Sequence, residues 1–154
     1  MNLITSPETI VGYDTKIRVF LAGTIDNGNS VDWQQTVIDE MKDYGVTLLN
    51  PRRKIWNPNN QDLVAQINWE LDALHYCDVI FMYFAPNSLS PISLLELGLF
   101  IDKKPMIIVC PKSFYRYINV KVVCEECNTQ LYETLEDGLQ VLKNGIQTLN
   151  RIFK

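Results

Sequence analysis

The stretch VIFMYFAPNSLSPISLLELGLF, residues 79–100, spells out a strand, a turn and a helix in succession. Its opening run, VIFMYFA (79–85), is continuously apolar and rich in β-branched and aromatic residues, the pattern of a strand covered on both faces. Ser90 followed by Pro91 marks a helix start, because proline's fixed φ suits the first turn and its missing N–H is an orphan there in any case. Ile92, Leu94, Leu95, Leu97, Leu99, Phe100 and Ile101 leave this helix no broad polar face, and a helix that is apolar all round is expected to be buried. Glu96 stands in its middle, with no lysine or arginine at helical spacing to neutralise it. A carboxyl group without solvent has to be paired, protonated or used.

The same strand-then-helix rhythm extends in both directions. IRVFLAG (17–23), VTLLN (46–50), MIIVC (106–110) and the short VKVV (120–123) are further compact strand-like runs. Between them lie helical patterns. Trp33, Val37, Met41 and Tyr44 recur at spacings of three and four, with Asp32 ahead of them and Gly45 as the stop. Leu63, Ile67, Leu71 and Leu74 form a second stripe, and a last helix is expected from about Glu133 to Lys143, carrying Leu135, Leu139 and Leu142. This alternation predicts one α/β domain over residues 1–154, a doubly wound sandwich with a five-stranded parallel sheet.

Composition narrows the function classes. A net charge of −4 and a pI near 4.9 oppose a duplex nucleic-acid or anionic-membrane footprint. No segment reaches the roughly 18 apolar residues of a membrane span, and the N-terminus lacks a leader-like pattern, so a soluble cytoplasmic protein is expected. The four cysteines, Cys77, Cys110, Cys124 and Cys127, do not form a dense disulfide framework. Cys124-Glu-Glu-Cys127 could serve zinc or redox chemistry, but the expected setting, a strand end without further ligands, favours two small residues at a strand-loop junction.

In such sheets ligands bind beyond the carboxyl ends of the strands. The loops to inspect are GTIDNGNS, NPRRKIWNPNN, PNSLSP and PKSFYRYIN. GTIDNGN is neither a P-loop nor GxGxxG, so nucleotide cofactors are not indicated. Glu70 lies seven residues after Leu63 and four before Leu74, on the apolar stripe of its helix. It is either an edge position with a partner such as Arg52, or a second carboxylate aimed at the strand ends beside Glu96. Asp78 opens its strand at the opposite end and suits a turn or cap. Two glutamates at one pocket suit chemistry at an anomeric carbon, and Glu96, near its helix N-terminus, would be held ionised by the helix dipole.

VFLAGTID, the DWQ opening of the first helix, LLNPRRKIW, QINWELDAL, CDVIFMYFAPNSLSPISLLELGLF and NVKVVC together resemble the nucleoside 2-deoxyribosyltransferase-like family. The resemblance runs from about Ile17 to Leu142, to a compact branch with NPRR, WE and SPxSLLELG motifs related to deoxynucleoside monophosphate N-glycosidases. It implies a flavodoxin-like fold and cleavage of the N-glycosidic bond of a nucleoside or nucleoside monophosphate, without metal or cofactor. It places the family's nucleophile on Glu96 and its second acidic residue on Glu70. The transferases carry an aspartate where this chain has Ser90; the monophosphate N-glycosidases carry a serine there, which helps hold the 5′-phosphate. Gly23 and Asp26 would line the sugar and base side. Arg52 and Arg53 have no fixed counterpart; one of them would bind phosphate and the other pair with a surface acid. Asn119 would complete the site of a neighbouring subunit, so a homodimer or larger homo-oligomer is implied. Trp33, Trp56, Trp69, Tyr83 and Tyr115 are candidates for base stacking. Two other readings stay open: a non-catalytic nucleotide-binding or sensing module, and a hydrolase of a larger N-glycoside such as a dinucleotide. Base, sugar, phosphate requirement and acceptor are not fixed by the residues.

Overall fold

The computed structural model describes residues 1–10, 16–55 and 60–152. Six parallel strands make one sheet: β1 (Asn2–Thr5), β2 (Ile17–Gly23), β3 (Val46–Asn50), β4 (Val79–Tyr83), β5 (Met106–Val109) and β6 (Leu131–Tyr132), in the order β1-β3-β2-β4-β5-β6. The helices are α1 (Trp33–Glu40), α2 (Asn60–Tyr76), α3 (Pro91–Phe100), α4 (Tyr117–Glu126) and α5 (Leu135–Ile152). The expected α/β parallel sandwich is present, with one strand more than expected.

Continuous apolar strands are covered on both sides, as their composition requires. Phe20, Leu49, Ile80, Met82 and Phe84 pack beneath α2, α3 and α4 through Leu74, Leu97, Phe100 and Cys124. Val19, Leu21, Leu48, Phe81 and Val109 face α1 and α5 through Trp33, Val37, Met41, Leu139 and Ile146. The chain winds from β2 through α1 on one face and returns from β3 through α2 on the other. The direction therefore reverses between β2 and β4, and the crevice of such a fold opens at their carboxyl ends. There Gly23 adopts φ +133°, and a Cβ on it would stand 2.1 Å from the Tyr83 carbonyl oxygen. Only glycine allows β2 and β4 to run this close at the mouth of the crevice.

Four expectations are corrected. VKVV is helical: Val120 and Cys124 are buried four residues apart while Val122 and Val123 are exposed, so burial on a period near 3.6 overrides the β-propensity of valine. Cys124 and Cys127 consequently lie in the last turn and C-cap of α4. The added strands are β1, a half-exposed edge element paired to β3 from Asn2↔Thr47 to Thr5↔Asn50, and the two-residue β6. Helix α5 runs nine residues beyond Lys143, to Ile152. Helix α3 is not buried all round: Ser93, Glu96, Leu97 and Phe100 face inward, whereas Ile92, Leu95 and Leu99 are exposed. No helix among the described residues is long and apolar enough to cross a membrane.

Candidate functional site

Among the described residues, Glu96 is the one acidic side chain in the buried set, 9% exposed on the inner face of α3. Burial, and after it the charge of Glu70, pushes its carboxyl up to about 8. The expectation of an ionised Glu96 is therefore reversed for the free chain. Glu96 is the sixth residue of α3, and the dipole's influence fades beyond the first turn, so desolvation wins and the proton stays on at neutral pH.

Glu70 approaches from α2, half-buried. Burial raises its carboxyl as well, but a hydrogen bond from Gln66 and the charge of Arg53 oppose the rise. Glu70 reaches the interior by a different face from the one expected. Leu63 and Ile67 are exposed; the side of α2 turned inward carries Gln66, Ala73 and Leu74 with Trp69 and Glu70 at its margin.

At the crevice mouth a chain of hydroxyls runs between the β2 and β4 loops. Ser88 donates to Asp26 Oδ1 at 2.7 Å. With its only hydrogen spent there, Ser88 Oγ accepts from Ser90 Oγ at 2.9 Å and from the Ser90 amide at 3.1 Å. Ser90 Oγ must then accept from Thr24 Oγ1 at 2.5 Å, and Thr24 Oγ1 accepts from the Ala85 amide at 2.9 Å. Every hydrogen in the chain points toward Asp26. Asp26, Asn27 and Ser90 all have left-handed backbones, with φ of 50°, 54° and 44°, and such strain in non-glycine residues gathers at working sites. Ser90 precedes Pro91 as expected, but its hydroxyl caps nothing in α3.

The remaining site residues divide. Arg52 spends its guanidinium on the β2-α1 loop, donating to the Ser30 carbonyl at 2.6 Å, the Gly28 carbonyl at 3.0 Å and Ser30 Oγ at 3.2 Å, with Asp32 3.6 Å away. It buckles that loop, and Arg53 is the arginine that acts on Glu70. Asn119 is exposed on the first turn of α4, where it lines a groove of about 330 Å³ with Leu94, Leu97, Gly98, Arg116, Val120 and Val123. The structure does not bring Asn119 into hydrogen-bond contact with the glutamates of its own chain.

Among the aromatic candidates, Trp33 is 1% exposed and gives its indole N–H to the Thr24 carbonyl, so it is core. Trp69 donates to the Glu8 carbonyl, and Tyr115 to the Leu89 carbonyl. Tyr83 is half-buried beside Trp33; Trp56 lies outside the described residues. Asp78 sits at the far end of the sheet, gripping Arg18 with both carboxylate oxygens, a structural role as expected. The residues that sequence reasoning missed are Thr24, Ser88, Gln66 and Ser6. Each is a polar side chain at most 6% exposed, and only the spacing of Gln66, one turn before Glu70, was visible beforehand.

Residues 16–114 match the family described as "Nucleoside 2-deoxyribosyltransferase like". The chain belongs to that family. The match takes in β2 through β5 and so includes Glu70, Glu96 and the hydroxyl chain, while β1 and α4 onward lie outside it. No curated protein matches the sequence. Among solved structures, a conserved protein from Enterococcus faecalis is similar at TM-score 0.63 and 12% identity, over 84% of this chain and 98% of that one. The Clostridium botulinum CMP N-glycosidase BcmB is similar at TM-score 0.53 and 21% identity, over 82% and 98%. At these identities the likeness establishes the fold. For the deoxyribosyltransferase-like chain, family membership supports N-glycosidic bond chemistry in general.

Proposed function

We propose that the protein cleaves the N-glycosidic bond of a nucleoside or nucleoside monophosphate, with Glu96 as nucleophile and Glu70 as its proton partner. The observation that carries this reading is a buried carboxyl, Glu96, on the inner face of α3, within electrostatic reach of a second carboxyl, Glu70, from α2. Protonated Glu96 gives up its proton and attacks C1′ as the C1′–N bond breaks. The released proton goes to the departing base, with Glu70 the neighbouring carboxylate able to carry it. Water then resolves the glycosyl ester and returns a proton to Glu96; an acceptor base in place of water makes the same step a transfer. Ser90, Asp26 and Gly23 form the sugar side of the crevice, and Arg52 serves by shaping the loop that carries Asp26. Residues 1–154 act as one domain, and no cofactor is required.

We infer further that the protein works as a homodimer or larger homo-oligomer. Ile92, Leu95 and Leu99 on α3 and Ile118 and Val122 on α4 are apolar and 42–67% exposed, side chains of the kind an interface between copies would cover. Asn119 stands at this surface, where it can serve a neighbouring copy. Sedimentation of the wild type and of Leu95→Glu tests this; a monomer in both sinks it.

The test of the activity is chromatography of deoxynucleosides, their monophosphates and the ribo forms after incubation, with and without an added base. Release of free base that Glu96→Ala abolishes supports the reading, and tight binding without product over long incubation replaces it with a sensing module.

A further inference from the structure

Ser6, Gln66 and Arg53 form a polar group behind Glu70 that the glycosidic reading does not use. Gln66 is 4% exposed and Ser6 3%. Gln66 Nε2 donates to the Pro51 carbonyl at 2.9 Å and to Glu70 Oε1 at 2.7 Å. Because a carbonyl only accepts, Pro51 fixes which end of the carboxamide is nitrogen. The other end, Oε1, accepts from Ser6 Oγ at 2.6 Å, and Ser6 Oγ accepts from Arg53 Nε at 3.3 Å. Both amide hydrogens and the amide oxygen are thereby committed, in one orientation. Ser6 is placed by β1: its amide donates to the Asn50 carbonyl at 3.0 Å, continuing the β1-β3 pairing.

We propose that Gln66 is a positioning residue that fixes the Glu70 carboxylate, and that Ser6, the residue that follows edge strand β1 and lies outside the family match, locks Gln66 in the orientation this needs. A saturated, buried carboxamide is expensive to rotate, because any turn leaves a buried donor or acceptor unpaired. It presents an N–H to Glu70 and so favours the form of Glu70 that accepts, the ionised one. The ionisable groups around this carboxylate are Arg53 from the β3-α2 loop, whose charge acts on it, and Glu96 from α3, on which it acts. β1 is thus a working part of the site rather than an edge extension. This role rests on the proposed part of Glu70 in the reaction.

The test is the titration of the Glu70 side-chain carboxyl, followed by 13C NMR with Glu70→Gln as the assignment control, in wild type, Gln66→Leu, Ser6→Ala and Ser6→Thr. The expected result is an upward shift on the order of one pH unit in Gln66→Leu, a smaller one in Ser6→Ala, and none in Ser6→Thr, which keeps the hydroxyl. With a substrate found, kcat should fall at least tenfold in Gln66→Leu while KM stays within threefold. A Glu70 titration unmoved in both Gln66→Leu and Ser6→Ala overturns the proposal, as does a rate loss uniform across pH. If Gln66→Leu does not fold, the contrast between Ser6→Ala and Ser6→Thr decides alone. Absence of base release by the wild type would defeat the glycosidic reading instead, and leaves the titration to be read.

Discussion

The negative charge of Glu70, on α2, helps hold a proton on Glu96, on α3. The two groups come from helices linked by β4, and the proton on Glu96 is held first by burial and then by the charge of Glu70.

Its first consequence is for catalysis. In the proposed reaction the proton on Glu96 goes to the departing base, so kcat/KM should fall as pH climbs through about 8, the value to which burial and Glu70 push this carboxyl. Glu70→Gln removes the repelling charge, so the same fall should begin at lower pH, while the maximal rate drops by roughly the 10²–10⁴ typical of a lost proton partner. Profiles of the two proteins over the same buffers check this; coincident midpoints would refute the coupling.

The second consequence is for stability. A carboxyl raised from 4.5 to about 8 by folding binds more proton in the native state than in the unfolded one between those values. Its contribution is full below about pH 4.5 and is lost as pH climbs through 8. The melting temperature should decline over that interval, and Glu96→Gln should flatten the decline, recovering up to ~4 kcal/mol at pH 8. Calorimetry at several pH values settles the sign.

Arg52 should matter to stability as much as to turnover. Arg52→Met leaves the Gly28 and Ser30 carbonyls without their donor, at a cost of about 2 kcal/mol. Urea unfolding measures this. Loss of activity at unchanged stability would instead make Arg52 a substrate ligand.

The hydroxyl chain predicts an order among serines. Ser88→Ala removes three hydrogen bonds and strands Asp26 and the Ser90 amide, whereas Ser90→Ala removes two, to Ser88 and Thr24. Ser88→Ala should therefore lose more stability, by ~1 kcal/mol or more, in parallel thermal melts.

Much of the architecture was legible because buried parallel strands advertise themselves: VTLLN is buried at all five positions. β1 escaped notice because half its residues are solvent-facing, so no apolar run marks it. VKVV misled because valine's local preference is weaker than the packing of Val120 and Cys124. Glu96 was visible as a charge in an apolar helix. Glu70 was singled out for a stripe of which Leu63 and Ile67 prove to be exposed, and its true neighbours, Gln66 and Ser6, come together across sixty residues of sequence. Contacts of that kind leave no periodic trace in a chain.

Gly23 limits how this scaffold can be altered. Any side chain there meets the Tyr83 carbonyl at 2.1 Å, so the floor of the crevice cannot be remodelled without prying β2 from β4. New substrate preferences, whether selected in nature or in a library, must arise from the walls: the helices α2 and α3 and the turn from Ala85 to Leu89. Randomising those positions while holding Gly23 fixed is the economical way to search for them.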